Sequence, residues 1–587
     1  MDKKNSNQSD ELYLQNLRHS CAHLLAAAVL ELWPKTKPTI GPSIENGFYY
    51  DFDFGDVKIS DSDLPKIETK MRELVKDWKE FKRIEVDSAH ATKQFSSNEY
   101  KKELIEEFKA EGQKLTLYAS GAFTDLCRGG HCERPDKELQ FFKLLSVAGA
   151  YWRGDEKNPM LTRIYGTCFT SQAELDRYVW QQEEAKKRDH RKLGKDLKLF
   201  IISADVGSGF PLYLPNGFII RRELSHWIMY EKERRGYQFV WTPHVAKSTL
   251  YRKSGHWQKY DAMFNPMRLN GEEYVVKPMN CPHHFQVYLS EPRSYRELPL
   301  RIAENATVYR NEKAGELAGL LRVRSLTQDD THTFVRHDQI SEEIDRILEL
   351  ATFIFRTFGF SDYKARISTR DTEKQEKYLG KPDVWDTAEK ALVDAIARNH
   401  IESFMGIGEA AFYGPKIDII VKDAIGREWQ LSTIQLDFNQ PENFDMNYVN
   451  EKGELERPAV IHIAILGSFE RFLAILIEHY AGAFPLWLSP VQLGIIPIAE
   501  RHNATAVKTR DFFIAHGIRA EVDDRNETMQ AKVRNYSLQK IPYMAIIGDT
   551  ERDNGSLAIR TRRGENLKGI HLDGFLKNLQ QEIDHKT

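Results

Sequence analysis

Cysteine is scarce in this chain: 587 residues hold five. A sparse, odd set excludes a disulfide-built scaffold and predicts a reducing, cytoplasmic setting. An excess of one charge is missing too, since 83 Lys and Arg stand against 86 Asp and Glu for a net charge of −3. No global basic field advertises nucleic acid, so any such contact has to come from local clusters. Long hydrophobic runs are absent as well. The most apolar stretch, 459–484, is broken by Glu470, Arg471 and Glu478, which rules out a membrane span. The opening MDKKNSNQSD has lysines but no apolar core behind them, so it does not read as a secretory signal. Neither an internal repeat nor a low-complexity tract interrupts the rest.

What is present fits about three to four domains. Residues 1–170 mix a helix, strand-like pieces such as GFYYDFDF and a Gly-rich turn from Cys127 to His131, and read as one α+β unit. From 171 to 197, SQAELDRYVWQQEEAKKRDHRKLGKDL is charged and helix-forming, which suits a solvated connecting helix. Residues 198–488 place Arg, His and Gln in strand-like settings. From 489 to 587, strands and helices alternate, which predicts a small α/β domain with parallel strands.

Two clusters carry chemistry. In a helix predicted from Leu12 to Trp33, Leu17, Cys21, Leu24, Ala28 and Leu32 form the core stripe, while His19 and His23 lie on another face. Ala26 and Ala27 continue that face, and their small size predicts a hollow beside the imidazoles. In TDLCRGGHCERP, Cys127 and His131 stand four apart around two glycines. Together these four residues fit a closed zinc site, a three-ligand site with an open position, or a metal-free set of donors and bases. In the second cluster, the strand RVRSLTQDDTHTF puts Gln328, Asp330 and His332 on one face. Asp329, Thr331 and Thr333 make the other face polar too, which suits a strand in the middle of a site. Arg310 and Arg322 are read on two antiparallel strands around a Gly-containing loop, a fork for phosphates. Arg471 sits in the first turn of an apolar helix after Gly467 and Ser468, where a cation is unfavourable unless an anion is shared. Three arginines then converge on a polyanion, for which ATP is the natural candidate.

The segment from Arg310 to Arg322, with GSFERF around Arg471, resembles the second and third signature motifs of class II aminoacyl-tRNA synthetases. KPMNCP, TQDDTH, AFYGPKID, STIQLDF and HIAILGS are similar to threonyl-tRNA synthetases in particular. The resemblance runs from about Leu12 to the end of the chain, through six or more motifs in order. It implies an α+β multidomain chain: an α+β editing domain at 1–170, a linker helix at 171–197, a class II antiparallel-sheet catalytic core at 198–488 and an α/β anticodon-binding domain at 489–587. The family's separate amino-terminal domain has no counterpart before the editing helix. The implied activity joins threonine to tRNA(Thr) through threonyl-adenylate and hydrolyses Ser-tRNA(Thr) at a second site.

Carried over residue by residue, the resemblance implies one zinc per subunit on Cys281, His332 and His462. Threonine falls to Gln328, Asp330, Tyr413 and Lys416, with Asp330 on the amino group. ATP falls to Arg310 at the α-phosphate, Glu312 by the adenine, Arg322 and Arg471 at the γ-phosphate, and Gln430 and Thr433. Mg²⁺ accompanies ATP in the family, although no Mg²⁺ motif is read here. His19, His23, Cys127 and His131, with Asp125, Tyr50 and Lys101, match the editing pocket, which is expected to work without a metal. Asn526, Arg534, Glu551 and Arg560 become anticodon contacts, in a hairpin GDTERDNGSLAIRTRRG that also carries Arg562 and Arg563. A homodimer is implied through the helix RRELSHWIMYEKERRGYQFV and a strand VWTPHV. Departures are few: His283 stands where the family has glycine, Ile463 where arginine is common, Ser325-Leu326 for Gly-Phe, and glycine for proline in CRGGH. None removes a metal ligand or a phosphate arginine. That counts against a non-catalytic RNA-binding paralogue, and threonine-dependent pyrophosphate exchange with ATP would separate the chain both from it and from a hydrolase acting only on mischarged tRNA.

Overall fold

Nothing in residues 2–11 stops a helix, since they hold neither Pro nor Gly, and α1 (Asp2–Leu32) accordingly begins ten residues before Leu12. Pro34 follows its end. The computed structural model describes residues 2–586 and divides into two compact units, Met1–Glu183 and Glu184–Thr587.

In the first unit, Leu17, Cys21, Leu24 and Ala28 of α1 are fully buried against Phe48, Phe52 and Ile164. All three of these residues come from a sheet built on β1 (Gly47–Asp53). A smaller antiparallel sheet holds β2 (Lys82–Val86), then, after α2 (Glu99–Ala110), β3 (Leu115–Ser120) and β4 (Phe123–Leu126). β5 (Phe141–Tyr151) and β6 (Met160–Phe169) complete the larger sheet in the antiparallel order β1-β6-β5. Alternation explains the pattern: Phe48, Tyr50 and Phe52 of β1 are buried on one side.

The linker departs from the sequence reading. Instead of one solvated helix there are two, α3 (Gln172–Arg188) and α4 (His190–Asp196), broken at Asp189, whose side chain caps the second by accepting from Arg191 N. His190, Leu193 and Gly194 are buried, so α4 packs as part of its unit.

In the second unit, α5 (Pro215–Glu233) precedes an eight-stranded sheet. Its strands are β7 (Gln238–Phe239), β8 (Leu300–Tyr309), β9 (Ser325–Val335), β10 (Tyr363–Thr369), β11 (Ser403–Ile407), β12 (Lys416–Lys422), β13 (Glu428–Asp437) and β14 (Ala459–Ala464). The order is β7-β8-β9-β14-β13-β12-β10-β11, and only the two edge pairs run parallel. The expected strand Val240–Val245 does not form. Val240 N still bonds Ala303 O, but Pro243 has no N–H to offer and pairing resumes only at Val245–Lys247, in another sheet. The short helix α6 (Cys281–Tyr288) precedes β8 in sequence. Helices α5, α7 (Ile340–Thr357) and α8 (Phe469–His479) share one large core with Ile461 and Ile463 of β14, which turns His462 to the opposite face.

The carboxy-terminal part has a five-stranded sheet. Around β15 (Leu493–Pro497), helix α9 (Asn503–Ala515), β16 (Ala520–Val522), α10 (Met529–Leu538) and β17 (Tyr543–Ile547) follow in turn. The three strands are parallel as expected, but β18 (Ser556–Thr561) and β19 (Asn566–His571) add antiparallel. The segment read as one hairpin opens with a short helix, α11 (Asp549–Asn554), and α12 (Leu572–His585) ends the chain.

Candidate functional site

His332 and His462 face each other directly across the β9–β14 pair, their rings 4.7 Å apart, so their side chains share a face. Cys281 enters from the first turn of α6. One donor atom from each of the three lies within 4.8 Å of the others, and all three residues are buried. Each imidazole is steadied from behind. His284 Nδ1 is 2.8 Å from His332 Nδ1, and Asp437 Oδ2 is 3.0 Å from His462 Nε2. The remaining ring nitrogen of each is left for a metal, the arrangement second-shell partners impose on metal histidines. His332 is held well below the usual imidazole range by burial, with His462 and His284 adding to it. The set therefore fits zinc.

These ligands wall a cavity of about 320 Å³ that also takes in Gln328, Asp330, Tyr413 and Lys416. Burial pushes the Asp330 carboxyl up, against the pull of His284 and His462. Ile463, in the family's arginine position, borders the cavity too, whereas His283 is buried beside Tyr251 with its Nε2 bonded to nothing in the protein. A second cavity, of about 370 Å³, shares Arg310, Gln328, Thr433 and Gly467 with the first and adds Glu312, Arg322, Gln430 and Arg471. Arg310 and Arg322 are not on strands, as the sequence suggested. Both lie in the loop between β8 and β9, where Arg322 pairs with Glu312 at 2.7 Å. Burial lowers the Arg471 pKa, and the nearby Arg322 charge lowers it further. The Nε atoms of Arg310 and Arg471 have no partner within the protein. A buried donor left unmatched costs about 1–3 kcal/mol, so these two suit the oxygens of an anion.

Several contributors escaped the sequence reading. Asp418 is fully buried and accepts from Ser368 Oγ, Arg366, Gln430 Nε2 at 2.8 Å and Thr433 Oγ1 at 3.0 Å, with Lys416 Nζ against it. One carboxylate thus places Lys416, Gln430 and Thr433. Its signal was an acid inside the apolar run KIDIIV. His284, Glu304 and Asp437 had no such marker. The polar far face of β9 also has a different meaning from the one expected: Asp329 is fully buried, 3.1 Å from Lys232 of α5, and accepts from Ile465 N and Leu466 N. That face braces the sheet and does not line the cavity.

In the first unit, His19, His23, Cys127 and His131 bring one donor atom each within 4.8 Å. Gly129 and Gly130 turn the chain at positive φ, and a Cβ on Gly129 would meet Tyr118 Oη at 2.5 Å. His19 Nδ1 lies 3.1 Å from Gly41 O, so it carries the proton and Nε2 faces Cys127 Sγ at 3.0 Å. Ser20 Oγ donates to Asn16 O, which makes it the acceptor for His131 Nδ1 and leaves His131 Nε2 toward the same sulfur, 3.3 Å away. Burial pushes the Cys127 thiol up to about 11 and His131 down to about 2, and it lowers His19 and His23 as well. All four are neutral near pH 7. Lys101 Nζ and Tyr50 Oη grip Asp125 from 2.5 and 2.6 Å. The adjoining cavity, about 490 Å³, is lined by His19, His23, Cys127, Asp125 and Lys101, with Gln15 and Asn16 one turn before the imidazoles. Ala26 and Ala27 are packed in the core and take no part in it, contrary to the sequence expectation.

Near the carboxy terminus, Asn526 and Arg534 are exposed, the latter on α10. Arg560 pairs in register with Met544, which packs against Tyr536 of α10, so Arg560 lies on the α10 side of the sheet. Glu551 bonds Gly548 N at the start of α11. Arg562 is spent on the carbonyls of Phe484 and Lys540, so it does not join a free basic cluster.

Three family models match in order: the second additional domain of threonyl and alanyl tRNA synthetases at 115–165, the class II core domain of the G, H, P, S and T synthetases at 264–480, and an anticodon-binding domain at 492–582. A threonine–tRNA ligase of Deinococcus radiodurans is 49% identical over 100% of this chain and 91% of its own length. One from Dehalococcoides mccartyi is 48% identical over 95% of this chain and 96% of its own. Among solved structures, the RNA binding domain of a threonyl-tRNA synthetase from Cryptosporidium parvum is 34% identical with a TM-score of 0.64, covering 67% of this chain and 98% of that one. Near-half identity along the whole chain, on a fold whose family models fall in this order, assigns it: the chain belongs to the threonyl-tRNA synthetase family.

Proposed function

We propose that the two adjoining cavities form one adenylation site, with threonine seated at Cys281, His332 and His462 and ATP along Arg310, Arg322 and Arg471. As a family member the enzyme activates threonine, transfers it to tRNA(Thr) and hydrolyses Ser-tRNA(Thr). The observation carrying the site assignment is the shared wall of Arg310, Gln328, Thr433 and Gly467, which lets a threonine carboxylate reach an α-phosphate. Asp330 takes the substrate ammonium, with Gln328 and Tyr413 beside it. Arg310 stabilises charge at the α-phosphate, Arg322 and Arg471 draw the leaving pyrophosphate, and Mg²⁺ travels with ATP. Cys281, His332 and His462 would hold a zinc ion that could bind both the amino and the hydroxyl group of threonine, whereas valine has no hydroxyl to offer it.

Serine keeps both groups and lacks one methyl, worth roughly 1–3 kcal/mol or 10- to 200-fold. The smaller unit answers that leak. Its neutral His19, His23 and His131 serve as acceptors that orient a water at the ester, without a metal. The four donors fit an ion as well as a water, and stoichiometric zinc required for deacylation would replace this reading. Asn526, Arg534, Glu551 and Arg560 are proposed anticodon contacts. Phe218, Tyr230 and Trp241, which are 53%, 59% and 75% exposed along α5 and the segment after it, support a homodimer there. No described helix is long and apolar enough to cross a membrane; a cytoplasmic location follows from the tRNA substrate.

Threonine-dependent exchange of pyrophosphate into ATP tests the site. The expected result is exchange that Arg310→Ala or His332→Ala abolishes. Exchange that persists in both variants would remove the assignment.

A further inference from the structure

We infer that His190, at the start of α4, is a positioning residue for the ATP site, tying the loop that carries Glu312 and Arg322 to the helix that carries Arg471. The inference rests on reading Arg322 and Arg471 as ATP ligands. His190 is buried, and its two ring nitrogens are both engaged. Nδ1 lies 2.7 Å from Glu478 Oε1. A carboxylate only accepts, so Nδ1 carries the proton and Nε2 is left as the acceptor. It takes the backbone N–H of Leu320 at 3.1 Å. One imidazole therefore bonds both segments at once, beside the His190 N–H, which also donates to Glu478, and Arg191, which lies against Gly319.

Both segments lead to a phosphate arginine. Glu478 is on α8, about two turns beyond Arg471. Leu320 precedes Arg322 by two residues, within a tight turn: Ala318 N donates to Arg322 O and Leu321 N donates to Ala318 O. A shift at Leu320 is thus passed to Arg322. Gly319 supplies an independent observation. It holds a φ of +56°, and a Cβ there would come within 2.2 Å of His190 Nε2 and 2.9 Å of the Arg191 Cγ. The loop tip is pressed against α4 as closely as a glycine allows. Leu320 also buries its side chain in the large core, so losing the His190 bond leaves the loop attached and alters only where its arginine is held.

The test is pyrophosphate exchange with ATP and threonine varied separately. His190→Asn keeps a donor near the Nδ1 position for Glu478 and removes the acceptor for Leu320; His190→Gln does the reverse. Loss of one such bond predicts a KM for ATP raised about 3- to 10-fold in His190→Asn, with the KM for threonine and the melting temperature little changed. His190→Gln should stay closer to the parent, and Gly319→Ala should raise the KM for ATP as well. Equal rises for ATP and threonine, or a lowered melting temperature with the KM for ATP untouched, would make His190 merely structural and overturn the inference. Arg322→Ala runs beside them. If it raises the KM for ATP while His190→Asn does not, the inference alone fails; if it leaves that KM unchanged, the ATP-site reading fails first.

Discussion

Lys101 and Asp125 are 2% and 4% exposed at their side chains, and they meet at 2.5 Å beneath the four donors of the smaller unit. Tyr50 Oη adds a hydrogen bond to the same carboxylate. Removing one member of such a pair strands the other charge out of water, at a cost of about 3–5 kcal/mol, whereas replacing both by apolar residues is often close to neutral. Lys101→Met should therefore destabilise its unit strongly in urea unfolding, and Lys101→Met with Asp125→Leu should recover most of the loss. A double variant no more stable than the single one would contradict this. Both variants should still lose Ser-tRNA hydrolysis, because the charge pair shapes the pocket wall. The buried imidazoles set a pH dependence in the same place. His19, His23 and His131 have depressed folded pKa values, the last near 2, so below about pH 6.5 the unfolded chain binds protons that the folded chain does not. Stability then rises with pH through that window and is lost as the pH falls below it, by up to about 1.4 kcal/mol per pH unit for each histidine. Hydrogen-exchange protection of residues 17–29 of α1 should drop between about pH 7 and about pH 5; equal protection at both would mean the imidazoles are charged in the folded state.

β9 shows what an element reveals in its sequence and what it hides. Period-two alternation correctly groups Gln328, Asp330 and His332, because side chains of one strand alternate whatever its neighbours are. It is silent on what covers the other face. Asp329 looked like part of a site until Lys232, almost a hundred residues earlier, came to rest on it. The same limit explains the linker: charge along 171–197 suggested a solvated helix, but His190 has its partners at Leu320 and Glu478, far along the chain. Among the ligand sets, the pairs four apart in His19–His23 and Cys127–His131 could be read as local spacing. His332 and His462 become neighbours only through strand register, so family resemblance supplied them and local pattern did not. Asp329→Asn tests the bracing role. The variant loses part of the acceptor set shared by Ile465 N, Leu466 N and Lys232 and leaves a buried cation without its counter-charge. A loss of about 3–5 kcal/mol follows, read by thermal unfolding, together with weakened pyrophosphate exchange although Asp329 lines neither cavity of the site. Full stability with weakened exchange would instead place Asp329 in the chemistry.

Across the whole molecule, the proposed function sets two clusters of similar composition at opposite ends of one selectivity problem. Each unit holds imidazoles and a cysteine within a few ångströms, yet the groups behind the histidines differ. In the larger unit His462 is backed by the Asp437 carboxylate and His332 by His284, itself 3.2 Å from Glu304. In the smaller unit His19 and His131 are backed by a carbonyl and a hydroxyl. A carboxylate raises the basicity of the histidine it backs more than a carbonyl or a hydroxyl does, so the larger unit is the stronger site for a cation. Chelation should therefore separate the two activities in one preparation of the full chain. Zinc removal is expected to abolish threonine-dependent pyrophosphate exchange and leave hydrolysis of Ser-tRNA(Thr) at its original rate, with exchange restored by added zinc. His19→Ala should give the mirror image: threonine activation intact, and mischarged Ser-tRNA accumulating because one methyl allows only about 10- to 200-fold rejection of serine. If chelation stopped both activities, the hydroxyl and carbonyl behind His131 and His19 would be orienting metal ligands, and the difference between the groups behind the histidines would no longer account for the division of labour.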